Sequence, residues 1–142
     1  MKKIILCIFL ALGCFISNVS HIEASEYFYE EVITVDSDLQ TRATSTKTGT
    51  KTVNVKNSSG KVLWSVSVKG TFTYNGSTAT YTNASVSTNV NESGWKVVNS
   101  SSSKSGNKAT GYAKANCYRD GVLIDSLSKT VTLTCSATGK LS

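Results

Sequence analysis

Between residues 61 and 74 the chain reads KVLWSVSVKGTFTY, and its apolar side chains fall on alternate positions: Val62, Trp64, Val66, Val68, Phe72 and Tyr74, with Gly70 among them. The positions between, Leu63 aside, carry Lys61, Ser65, Ser67, Lys69, Thr71 and Thr73. A two-residue period gives an extended strand one apolar face and one wet face, whereas a helix would spread the same residues around its circumference. Asn75-Gly76 follows as a hairpin turn, because both residues tolerate positive φ. The pattern predicts a half-buried antiparallel sheet organised on one long hairpin.

The same period recurs on either side. Residues 48–56 alternate weakly, with Val53 and Val55 on one face, and close at Asn57-Ser58-Ser59-Gly60. Residues 78–90 put Thr80, Thr82, Ala84, Val86, Thr88 and Val90 on one face. For Val66 to meet Val86 and Val68 to meet Ala84, an odd number of residues must stay unpaired, which predicts a bulge or a three-residue loop. Gly70 marks a twist or a close backbone approach. After Asn91-Glu92-Ser93-Gly94, a short strand over 95–99 carries Trp95 and Val97 on one face, and 100–106 reads as a polar loop. Residues 107–118 set a small-residue face of Ala109, Gly111, Ala113, Ala115 and Cys117 against Thr110, Tyr112, Lys114, Asn116 and Tyr118. Asp120-Gly121 is a second hairpin turn, and residues 122–135 return with Lys129, Val131, Leu133 and Cys135 alternating with hydroxyl residues.

Six to seven strands at near-regular spacing, with no helical period, predict an all-β fold: a two-sheet antiparallel sandwich of immunoglobulin-like type. Ser and Thr make up 34 of the last 100 residues and Pro is absent. A disordered tail of that kind would lack the aromatic and β-branched pattern found here, so the segment is expected to fold. Trp64 and Trp95 are expected to be buried, interleaved with the small-residue face.

The start of the chain changes the picture of length. Lys2 and Lys3 precede an apolar run over residues 4–16, and Ala24 is a suitable residue before a cleavage point. Such a run is too short for a bilayer span and reads as a secretory signal peptide over residues 1–24. A competing reading lipidates Cys14 after Leu12-Gly13. Residues 25–44 then form an acidic arm or propeptide, with Val32-Ile33-Thr34-Val35 as a possible short strand and Arg42 as a possible processing site. Residues 45–142 form the sandwich domain.

Charge is divided between these parts. The arm carries five carboxylates against Arg42, a net of −4, and the domain carries eleven lysines and Arg119 against three carboxylates, a net of +9. The basic excess suits anionic cell-wall polymers, carbohydrate or a surface protein, though lysines scattered on wet strand faces also serve solubility. Tyr81, Tyr112 and Tyr118 are candidates for stacking on sugar rings, or plain cross-strand stabilisers. The only histidine, His21, lies in the expected leader, so no Ser-His-Asp or Cys-His set can form in the exported chain. Two sulfurs without histidine make no tetrahedral metal site. No catalytic role, cofactor or metal is expected, and nucleic acid and membrane insertion are not the expected targets.

Cys117 and Cys135 remain after export, and an oxidising compartment favours their pairing. In a straight hairpin they stand far apart, so a disulfide requires the last strand to break near Asp125-Ser126 and cross to the other sheet. The long, proline-free hairpin also resembles segments that β-pore-forming toxins insert into membranes.

Three stretches, GTFTYNGSTATY, SGNKATG and the closing TVTLTCSATGKLS, together with the TRA that ends the arm, resemble small exported proteins of Gram-positive bacteria. The likeness spans most of the mature chain. It implies export and a β-rich architecture, and it carries no assigned activity. The expected function is a secreted or cell-wall-associated, non-catalytic binding module with a basic surface. The alternative is a secreted membrane-active or bacteriocin-like toxin released from an acidic propeptide.

Overall fold

A computed structural model describes residues 3–5, 26–40 and 44–142. Most of the expected leader, including Cys14 and Ala24, and the processing position Arg42 lie outside the described residues. The strands, in chain order, are β1 (Lys3–Ile5), β2 (Phe28–Gln40), β3 (Ser45–Lys56), β4 (Val62–Tyr74), β5 (Ala79–Val90), β6 (Trp95–Ser105), β7 (Lys108–Arg119) and β8 (Val122–Thr134). No helix occurs among the described residues. One sheet has the order β1-β2-β3-β4-β5, four long strands edged by the three-residue β1, and the other has the order β6-β7-β8. All pairings are antiparallel. Each sheet is a meander joined to the other by the turn between β5 and β6, whereas immunoglobulin-type sandwiches use Greek-key connections.

The alternation in β4 sets the core. Trp64, Val66, Val68 and Phe72 are fully buried, as are Val53 and Val55 of β3. They face Ala109, Ala113 and Ala115 of β7 and Val131 and Leu133 of β8. Trp95 closes one end, its ring tilted against Trp64 at 6.4 Å between centroids. Small residues on β7 are what allow bulky ones on β4. A methyl group on Gly111 would stand 3.1 Å from Val86 Cγ2 and 3.2 Å from Val68 Cβ, tighter than ordinary packing permits. Gly70 likewise leaves room for the Phe72 ring, which would lie 2.7 Å from a Cβ there.

The hairpin register differs from the expected one by two residues. Val68 pairs with Val86, Gly70 with Ala84 and Val66 with Thr88. The turn is a four-residue loop, since Tyr74 pairs with Ala79. Asn75 Oδ1 accepts from the backbone N–H of Ser77 and Thr78 at 3.0 and 2.8 Å, and only Gly76 takes positive φ. The expected bulge is present further along, at Thr82, where Asn83 pairs with Thr71 and Tyr81 with Phe72. Asp120-Gly121 does form the two-residue turn, with φ of 50° and 75°.

Three expectations are corrected. Residues 100–105 are not loop: β6 runs to Ser105 along β7. The acidic segment does not project as an arm, because β2 pairs with β3 along its length, bulging at Asp36. The disulfide does not form. Cys117 and Cys135 are both free thiols, and β8 continues unbroken through Asp125 and Ser126. Cys117 pairs with Asp125, while the backbone N–H of Cys135 donates to Asn107 O. Ten residues of strand, about 33 Å at the usual rise, separate the two sulfurs' positions. A bulge at Ile124 puts both on one face, as parity required, at opposite ends of it.

Trp64→Ala is expected to cost about 3–5 kcal/mol, the range for an emptied aromatic core site. Equilibrium denaturation measures it, and a loss under ~1 kcal/mol would remove the inner face of β4 from the core.

Candidate functional site

Where the charges lie decides which surface can act. On the first sheet the lysines of β3 are matched, whereas Lys69 of β4 is exposed with no carboxylate or ring against it among the described residues. Lys47 pairs with Asp38 at 3.1 Å, Lys51 with Glu31 at 3.4 Å and Lys56 with Glu30 at 2.9 Å, while Lys61 meets Glu92. Three of these pairs join β3 to β2, so the acidic segment neutralises the basic strand beside it. Two more lysines lie over aromatic rings: Lys129 over Tyr29 at 3.7 Å and Lys104 over Tyr81 at 5.1 Å.

The outer face of the second sheet is different. Its outward positions alternate with buried Ala109, Gly111, Ala113 and Ala115 of β7. They are Lys108, Thr110, Tyr112, Lys114, Asn116 and Tyr118. Across the ladder lie Ser103, Ser101, Asn99 and Lys96 of β6, and Thr132, Thr130, Ser128 and Ser126 of β8. Lys96, Lys108 and Lys114 share this face with no carboxylate among its described residues. Its polar groups hold one another in place. Tyr112 Oη donates to Ser128 Oγ at 3.2 Å, Ser126 Oγ to Asn116 Oδ1 at 2.8 Å, and Asn116 Nδ2 to Tyr118 Oη at 3.1 Å.

The three candidate tyrosines are therefore not brought together. Tyr112 and Tyr118 share this face, six residues apart on β7 and about 20 Å at strand rise. Tyr81 lies on the other sheet, turned towards the core beside Phe72 by the bulge at Thr82.

A second feature went unread in the sequence. At the Trp95 end a cleft of about 600 Å³ opens between the start of β2, the β3–β4 turn and the β7–β8 hairpin. Tyr27, Leu63, Trp95, Cys117, Arg119 and Asp125 are among its lining residues. The Tyr27 hydroxyl donates to Asp125 Oδ2, and its ring meets Trp95 edge-on at 5.9 Å. These residues come from distant parts of the chain, so no local motif could reveal the cleft. No group of three or more metal-ligating side chains converges among the described residues.

The thiols sit in different settings. Burial pushes Cys117 above the ordinary thiol range, with Asp125 adding and Arg119 opposing. Burial also raises Cys135, against the Lys47 ammonium and with Asp38. The exported chain, freed of the leader that carries Cys7 and Cys14, is expected to titrate two thiols when unfolded without reduction, and when folded to react first and slowly at Cys117. A single blocked pair in the unfolded chain would restore the disulfide.

Lys47 donates to Asp38 and holds its carboxyl below the ordinary range, with burial opposing and the Tyr74 hydroxyl helping at 3.0 Å. A depressed carboxylate contributes stability above its unfolded pKa and loses it as pH falls through the folded one. Thermal unfolding followed from neutral to acidic pH should show stability level near neutrality and falling in acid. Asp38→Asn should shrink that fall. An identical acid profile would show that the pair contributes nothing.

No protein-family model, curated protein or solved structure matches the chain. Function has to be read from the surface chemistry of the molecule itself.

Proposed function

We propose that the protein is a secreted or cell-wall-associated, non-catalytic binding module whose contact surface is the outer face of the three-stranded sheet. The observation that carries this is the distribution of charge. Six lysines elsewhere meet carboxylates or aromatic rings and Lys69 and Lys140 stand apart, whereas Lys96, Lys108 and Lys114 lie together on one carboxylate-free face with Tyr112 and Tyr118. An extended, anionic, hydroxyl-rich polymer suits such a face: ammonium groups meet its charges, hydroxyl rows its hydroxyls, and a tyrosine ring the apolar side of a sugar. Seven long strands in two layers support an immunoglobulin-like relationship, and the sequential strand order departs from it.

Retention on purified cell wall tests the reading. Lys114→Glu with Lys96→Glu should weaken retention several-fold at low salt, and wild-type retention should fall as salt rises, because exposed charges are screened within about 8 Å at 0.15 M. Retention equal at high and low salt, with the variants unchanged, would remove this face from consideration.

One observation favours the membrane-active alternative. Val122, Leu123 and Ile124 are 63, 51 and 50% exposed at the end of the β7–β8 hairpin, three successive aliphatics in water. The apolar face of β4 is sealed in the core, so contact with lipid would begin at this tip. Dye release from anionic vesicles, abolished by Leu123→Asp, would support that reading; intact vesicles would dismiss it.

A further inference from the structure

The outermost long strand of the first sheet, edged only by the three-residue β1, is unusual. β2 lies beside β3 over the whole strand, yet none of its residues is buried. Tyr29 and Ile33, with Tyr27 just before the strand, are its only apolar side chains packed on the core, and they are only partly covered. The fully buried residues come from β3, β4, β7 and β8, together with Cys135. None of the fully buried side chains is supplied by β2. Among the contacts that hold β2 are a backbone ladder with β3 and the short β1, and three ion pairs in a fixed order along the strand. Hydrogen bonds also reach Asp36, Glu30 and Asp38 from Thr50, Asn54 and Tyr74. Two contacts to β8 join them, the Tyr27 hydroxyl on Asp125 and the Lys129 ammonium over Tyr29.

Such a strand is specified by charge and register more than by apolar burial. Glu30, Glu31 and Asp38 meet Lys56, Lys51 and Lys47, and an unrelated acidic strand has no reason to repeat this spacing. Every copy of the chain repeats it. We propose that the groove between the edge of β3 and the inner side of β8 is a docking site for the β2 segment of a second copy. The chain can then link to its like by exchanging β2.

Groove and strand belong to one chain, so reciprocal exchange closes a two-fold dimer without a new interface. Tethering gives β2 an effective concentration in the millimolar range at its own groove. The monomer is favoured at micromolar concentration, and exchange is favoured when chains are crowded together or when their own β2 is mismatched.

Charge reversal tests this directly. One variant carries Lys47→Glu and Lys51→Glu in the groove, and a second carries Glu31→Lys and Asp38→Lys in the strand. Each alone opposes like charges across β2 and β3, while in the exchanged pair every opposition becomes an attraction. Size-exclusion chromatography with light scattering should find each variant monomeric and a heterodimer in the equimolar mixture. Excess synthetic peptide of residues 26–40 carrying the wild-type sequence should suppress that heterodimer. Tryptophan emission reports whether each variant keeps its core. Two folded variants that stay monomeric when mixed would overturn the proposal, as would a heterodimer indifferent to the peptide. Should either variant lose its core, the wild-type chain decides: a dimer in the millimolar range that the same peptide suppresses supports exchange, and a monomer there that takes up no labelled peptide excludes it.

Discussion

The sandwich depends on how closely its two sheets approach along β4 and β7. Trp64, Val66, Val68 and Phe72 fill the space on one side only because Ala109, Gly111, Ala113 and Ala115 vacate it on the other. Interiors are packed to crystal-like density, so such a pairing of large against small is felt at every contact. It also fixes strand roles. Once β4 and β7 are the central pair, β3 and β8 bury their apolar halves beside them, and β2 is left with little of the core to cover.

Charge completes what apolar burial begins. The contrast between an acidic stretch and a basic domain looks in the sequence like two separate parts. In the folded chain much of it is a single contact, since β2 supplies carboxylates to Lys47, Lys51 and Lys56 of β3. Inward-facing charge also guards the open side of the sandwich. Asp125 and Lys129 on β8 are held by Tyr27 and Tyr29, and inward-pointing charges of this kind discourage unplanned edge pairing. Lys96, Lys108 and Lys114 on the outer face of the second sheet take no part in these contacts.

Legibility followed burial. Strands with one dry face, β4 and β7 above all, announce themselves by alternation, and both tryptophans proved buried. β2 and the second half of β6 show no such period, because neither places a fully buried side chain beyond Trp95. Their partners in the ladder, not their own pattern, make them strands. Apolar pairing alone predicts a hairpin register two residues from the one the chain adopts, because turn chemistry sets it. Asn75, by accepting two backbone N–H groups, built a four-residue loop instead, and the bulge at Thr82 then turned Tyr81 inward. The cysteines illustrate a different limit. Parity said correctly that they share a face, but compartment chemistry cannot shorten the strand between them.

Native-state amide hydrogen exchange addresses the central claim most directly, that β2 supplies none of the fully buried side chains and is held on the sandwich mainly by its ladder and matched charge. Amides of β4 and β7 should exchange only through global unfolding, and β2 amides should open at markedly lower free energy, faster still when salt is raised. Protection in β2 equal to that of β4 and indifferent to salt would contradict the account.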